Sequence, residues 1–237
     1  MDILLTTALA EGEAAEAAPS WFETAFSDFA DLTVWGWVVL AALLVGGVAL
    51  YMALKGKSGK PTWTTQKLAL GAVCIALSSV LSMIKVWEMP QGGSITAASM
   101  LPIIIFAYAY GAGPGLTLGA VYGVLQFILK PYFYSLPQFL LDYPVAFGCL
   151  GLAGFFSKSK NTRLGLTLGA VAAAAGRLIA AVASGVLFFA EYAPEGMSPL
   201  AYSLGYNASY MVPECIICVA LAVAVGPRLM KELRKIK

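Results

Sequence analysis

Between Glu88 and Lys130 the chain reads MPQGGSITAASMLPIIIFAYAYGAGPGLTLGAVYGVLQFIL (89–129), 41 residues without one charged side chain. A bilayer-spanning helix needs about 20 apolar residues, so this stretch is too long for one crossing. Gly111-Ala112-Gly113-Pro114-Gly115 divides it, because Gly and Pro both end helices. The reading is two spans, at about 96–110 and 115–130. Before them, Lys85 to Ser94 reads as a polar, Gly-rich loop.

The same reading extends in both directions. Upstream lie spans at 33–54 and 68–84, and downstream at 138–156, 164–190 and 200–227. Composition agrees. Of 237 residues, 59% are hydrophobic and 12% charged, with a mean hydropathy of +0.79. A soluble domain carries about 25% charged residues, so lipid is the solvent this chain suits. The expected fold class is an all-α integral membrane protein with seven spans. The residues before Thr33 lack the basic start of a signal peptide. They read as an acidic extracellular tail (1–32), followed by the first span, a linker (55–66), a membrane domain (67–230) and a basic tail (231–237). Basic clusters at 55–67, 158–163 and 228–237 fall on one side when seven spans alternate. The positive-inside rule then makes that side, with the linker and C-terminus, cytoplasmic and the N-terminus extracellular.

Histidine is absent, which removes the commonest general base and metal ligand together. Cys74, Cys149, Cys215 and Cys218 sit in apolar runs and read as small core residues. Neither a resident cofactor, a metal nor a nucleic-acid partner is expected.

Three ionisable residues fall inside spans: Asp142, Arg177 and Glu214. A charge at the bilayer centre costs at least ~2.5–3.5 kcal/mol, so such residues face cavities or partners. Arg177, Ala181 and Gly185 share one helical face, as do Asn207, Tyr210 and Glu214. Tyr132, Tyr134, Tyr143, Phe189, Tyr202 and Tyr206 add rings. A ring taken singly reads as part of an interfacial belt. A carboxylate among rings, however, suits a flat organic cation, through countercharge and cation–π attraction. Ala72 and Ala76 form a small-xxx-small pair of the kind that admits another helix.

Longer motifs carry a family resemblance. Met89-Pro90-Gln91-Gly92-Gly93-Ser94 and Ser99-Met100-Leu101-Pro102-Ile103 resemble the signature loop and second helix of the ThiT (YuaJ) family. These are the thiamine-specific S components of energy-coupling factor (ECF) transporters. Leu141-Asp142-Tyr143, Ser184-Gly185-Val186-Leu187-Phe188-Phe189, Tyr202-Ser203-Leu204, Tyr206-Asn207 and Tyr210-Met211-Val212-Pro213 continue the resemblance in order. It runs from about residue 64 onward.

The resemblance implies a six-helix S-component bundle, here preceded by one extra N-terminal helix, with a high-affinity thiamine pocket. Asp142 would face the thiamine cation. Tyr143, Tyr132, Arg177, Gly185, Phe189, Tyr202 and Asn207 would complete the site. Ala72 and Ala76 would dock on the ECF transmembrane coupling subunit. Two ATPase subunits would drive release, since the chain has no G-x-x-x-x-G-K-[ST] loop. Cell-membrane localisation follows. One departure stands out: the family's His one turn after its fifth-helix basic residue is Ala181 here. A thiamine precursor or another small heteroaromatic is therefore the alternative ligand. An intramembrane enzyme ranks lower, because Asp142 is expected near the outer surface and Glu214 near mid-membrane.

Overall fold

The computed structural model describes residues 63–235 except Gln91. The acidic tail, the span at 33–54, residues 55–62 of the linker and residues 236–237 of the basic tail lie outside the described residues. Among the described residues the chain is all-α apart from one small hairpin. Five of the described helices are long and apolar enough to cross a membrane.

The first helix, α1, spans Thr65–Met83. Thr64 caps it by accepting from the Lys67 N–H at 3.3 Å, which satisfies one of the orphan donors of the first turn. Gly71 and Ser78, seven residues apart, are its buried positions. Val73, Leu77 and Val80 point outward, as expected of a helix whose other face meets lipid.

The stretch expected to be an irregular loop is instead a β-hairpin. Strand β1, Lys85–Glu88, pairs antiparallel with β2, Ser94–Thr96, and a register irregularity lies between Lys85 and Trp87. Val86 and Trp87 on one strand and Ile95 and Thr96 on the other are strand formers. Gly92, at φ +95°, makes the turn. Polarity and glycine content masked that short pattern.

Helix α2 covers Leu101–Tyr110, later than the expected start at 96. Ala98 takes a positive φ of 62° and Thr96 Oγ1 accepts from the Ser99 N–H, so residues 96–100 form a turn. At 1.5 Å per residue, α2 is about 15 Å long, half a hydrocarbon core. Leu101 through Tyr108 are all buried. A helix apolar on every side belongs in the interior. Gly111, at φ +98°, turns the chain directly into α3, Ala112–Leu129. Pro114 does not exclude this earlier start, because it stands in the first turn, where no N–H partner is lost.

Helix α4, Leu136–Lys158, changes pitch along its length. It contains a π-helical turn at Leu141–Val145 and tightens to 3-10 geometry over Cys149–Lys158. Glycines on α3 and α4 let their backbones touch: a Cβ on Gly115 would stand 3.0 Å from Gly151 Cα. Helix α5 runs Thr162–Phe188, with Asn161 accepting from the N–H groups of Arg163 and Leu164. Helix α6 runs Pro199–Lys235, continuing past the expected limit at 227 into the basic segment. The described chain is thus a six-helix bundle built on α2. The four cysteines form no disulfide among the described residues, and Cys218 is fully buried.

Candidate functional site

At the end of the bundle that carries the hairpin, a cavity of about 1390 Å³ opens between the hairpin, α3, α4, α5 and α6. Ligand pockets commonly measure ~300–1,000 Å³, so this one has room for a small heteroaromatic and its access path. Asp142, Tyr143, Tyr132, Arg177, Gly185, Phe189, Tyr202 and Asn207 all line it. They come from four separate segments of the chain.

Asp142 sits in the π-helical turn of α4, beside Pro144. Such turns widen the helix and re-aim a side chain, and they recur at functional sites. Its Oδ2 accepts a 2.6 Å hydrogen bond from Gln138 Nε2. Gln138 is 0% exposed and its Oε1 accepts from the Tyr134 N–H. The amide is therefore fixed at both ends and holds the carboxylate in place. Gln138 was missed from the sequence, although its i, i+4 spacing to Asp142 was the signal.

Two aromatic groups flank the opening. Phe189 lies against Tyr132, Tyr134 and Tyr192, with ring centroids 5.9, 5.8 and 6.1 Å away. On α6, Tyr202 stacks on Tyr206 at 6.2 Å, and Tyr206 meets Tyr210 at 5.9 Å. Tyr143 packs edge-on to Phe127, and its hydroxyl donates to the Lys130 carbonyl at 3.3 Å. Asn207 is buried, with Oδ1 accepting from Tyr210 and Nδ2 donating to the Ser203 carbonyl.

Two glycines shape this space by contact. A Cβ on Gly185 would collide with Ser203 Oγ, so this glycine sets the approach of α5 to α6. A Cβ on Gly93 would lie 2.5 Å from Tyr210 Cε1. The hairpin therefore rests directly on the Tyr210 ring, and the Gly93 N–H donates to Tyr206 Oη.

Glu88 Oε1 accepts from Lys85 at 2.8 Å and Lys130 at 2.5 Å, tying the hairpin to the end of α3. The Lys130 hydrogen bond, then that from Lys85, holds the Glu88 carboxyl down at about 2. The same hydrogen bond to Glu88 raises Lys85.

Deeper in the cavity, Glu214 is 1% exposed. Its Oε1 accepts from Thr96 Oγ1 at 2.5 Å and Ser99 Oγ at 3.0 Å. Its Oε2 stands 3.7 Å from Arg177 Nη1. The Arg177 guanidinium lies 4.4 Å over the Phe147 ring. Asp142 and Glu214 line the same cavity, with Glu214 at the deeper position, where Thr96 and Ser99 bond to it. Of the two carboxylates, Glu214 is the one within ion-pair distance of Arg177. Ala181 lines the cavity beside Arg177. Among the described residues no cluster of three or more His, Cys, Asp or Glu could hold a metal.

Ala72 and Ala76 lie away from this site. Both are exposed, on the outer face of α1.

Sequence comparison shows the family to which the chain belongs. The family described as "Thiamine transporter protein (Thia_YuaJ)" matches residues 68–233, which includes every cavity-lining segment. The "Thiamine transporter ThiT" of Bacillus subtilis (strain 168) is 40% identical over 159 residues, covering 61% of this chain and 82% of that relative. A protein of the same name from Lacticaseibacillus paracasei is 32% identical over 147 residues, covering 55% and 73%. The chain belongs to the Thia_YuaJ family of thiamine transporter proteins.

Proposed function

We propose that this multi-pass membrane protein captures thiamine with high affinity and serves as the S component of an ECF-type uptake transporter. The carrying observation is Asp142. It is a carboxylate fixed by Gln138 at the wall of a cavity whose rim is aromatic. A thiazolium ring needs a countercharge and flat faces to stack on, and this wall offers both. Asp142, Tyr143, Tyr132, Arg177, Gly185, Phe189, Tyr202 and Asn207 form the binding set.

The cavity end is the extracellular one. Lys158, Lys160 and Arg163 at the α4–α5 turn, with Arg228 and Lys231 late in α6, gather at the opposite end. The positive-inside rule makes that end cytoplasmic. The exposed Ala72 and Ala76 are a flat strip on which the coupling subunit docks, and ATP is hydrolysed on two further subunits. A thiamine precursor is the second reading, favoured by the space at Ala181. Thermal-shift and fluorescence titrations of the purified protein decide between them. Thiamine should stabilise the protein most. Stabilisation by the pyrimidine precursor, with none from thiamine, would replace the first reading by the second.

A further inference from the structure

Inside the cavity, away from the solvent-exposed Lys85, Glu88 and Lys130 at its mouth, the wall carries three Asp, Glu or Arg side chains: Asp142, Arg177 and Glu214. Two carboxylates against one guanidinium leave a single negative charge. We propose that Glu214 is a specificity-determining positioning residue. It neutralises Arg177, so that the interior of the pocket, inside the Lys85–Glu88–Lys130 mouth, carries the one negative charge that selects a monovalent organic cation. This rests on the reading of the cavity as a thiamine site.

The geometry carries the argument. Glu214 is too deep and too well enclosed to serve as the ligand's direct partner, with Oε1 already accepting two hydroxyl hydrogen bonds. Its free oxygen points at Arg177 Nη1, 3.7 Å away. That nitrogen is buried and makes no hydrogen bond among the described residues. Arg177 would otherwise repel the cation that Asp142 attracts, in an interior where charges act over longer distances than in water. Pairing it with Glu214 leaves Asp142 as the uncompensated charge. Thr96 and Ser99 belong to the same device. They come from the hairpin and the turn after it, and they hold the Glu214 carboxylate in the orientation that faces Arg177.

A structural role alone would weaken all ligands alike. The test therefore reads a ratio: affinity for thiamine over affinity for its uncharged analogue, in which a thiophene ring replaces the thiazolium. Glu214→Gln keeps an acceptor for Thr96 and Ser99, removes the charge and turns an uncharged amide toward Arg177. Its thiamine affinity should fall by about tenfold or more, with the analogue changed by less than about threefold. Arg177→Met combined with Glu214→Gln removes both members of the pair and leaves Asp142 alone. It should return the ratio to within about threefold of wild type, and it decides the matter if the single variant does not fold. A single variant with the wild-type ratio, or a double variant whose ratio stays low, would overturn the inference while leaving thiamine capture standing. A wild-type protein that binds neither probe would remove the thiamine reading, and this inference with it.

Discussion

Replacing Asp142 by Asn isolates the charge at the proposed cation site. Asn is the same size and keeps an acceptor for Gln138 Nε2, now 2.6 Å from Oδ2, so the wall should hold its shape. What disappears is the attraction between carboxylate and thiazolium. At a contact of about 4 Å and an effective dielectric near 20, one pair of unit charges is worth roughly 4 kcal/mol. The Asn dipole and the partial exposure of the site recover part of that, leaving about 2–3 kcal/mol, or roughly 30- to 150-fold in affinity. Quenching of intrinsic fluorescence during thiamine titration of the purified protein measures it. The uncharged thiophene analogue should bind both forms equally. An Asp142→Asn protein within about threefold of wild type for thiamine would refute the countercharge argument.

Three further outcomes follow from the same geometry. Ala72→Leu with Ala76→Leu should leave thiamine binding intact and abolish uptake in proteoliposomes containing the partner subunits, because bulky side chains prevent close helix approach; retained uptake would move the docking strip elsewhere. Gly185→Ala should destabilise the protein by about 1–3 kcal/mol, since its Cβ meets Ser203 Oγ, and an unchanged melting temperature would contradict the α5–α6 packing described. The Glu88 carboxyl is held at about 2, below its ordinary 4.5. Its contribution to hairpin order is therefore complete above about pH 5 and is lost as pH falls toward 2. Hairpin amide protection, taken relative to the intrinsic exchange rate at each pH, should be flat from neutral pH to 5 and fall below 4, and an equal fall under Glu88→Gln would sever the link.

Much of the architecture was legible from charge spacing. Stretches with at most one Lys, Arg, Asp or Glu marked every helix from α1 to α6, because lipid disfavours charge over whole turns. Hairpin strands of four and three residues escaped, since Gly92, Gly93 and flanking polar groups looked like loop chemistry. The start of α2 escaped for a related reason. The turn at Ala98 and Ser99 depends on Thr96 and Glu214, which are 118 residues apart in sequence. Helical spacing placed Arg177, Ala181 and Gly185 on one cavity wall and Asn207, Tyr210 and Glu214 on another. It could not show that Asp142 and Glu214 share one cavity, because depth along two different helices is set by packing. Gln138 was readable from i, i+4 spacing but uncharged, and so drew no notice.

The central claim is that thiamine lies in this cavity with its cationic ring at Asp142. An experimental structure of the protein with thiamine bound tests it most directly. Ligand density is expected between the Phe189 group and the Tyr202–Tyr206 stack, with the thiazolium facing Asp142. Thiamine bound at another site, or in this cavity with its cationic ring turned away from Asp142, would contradict it.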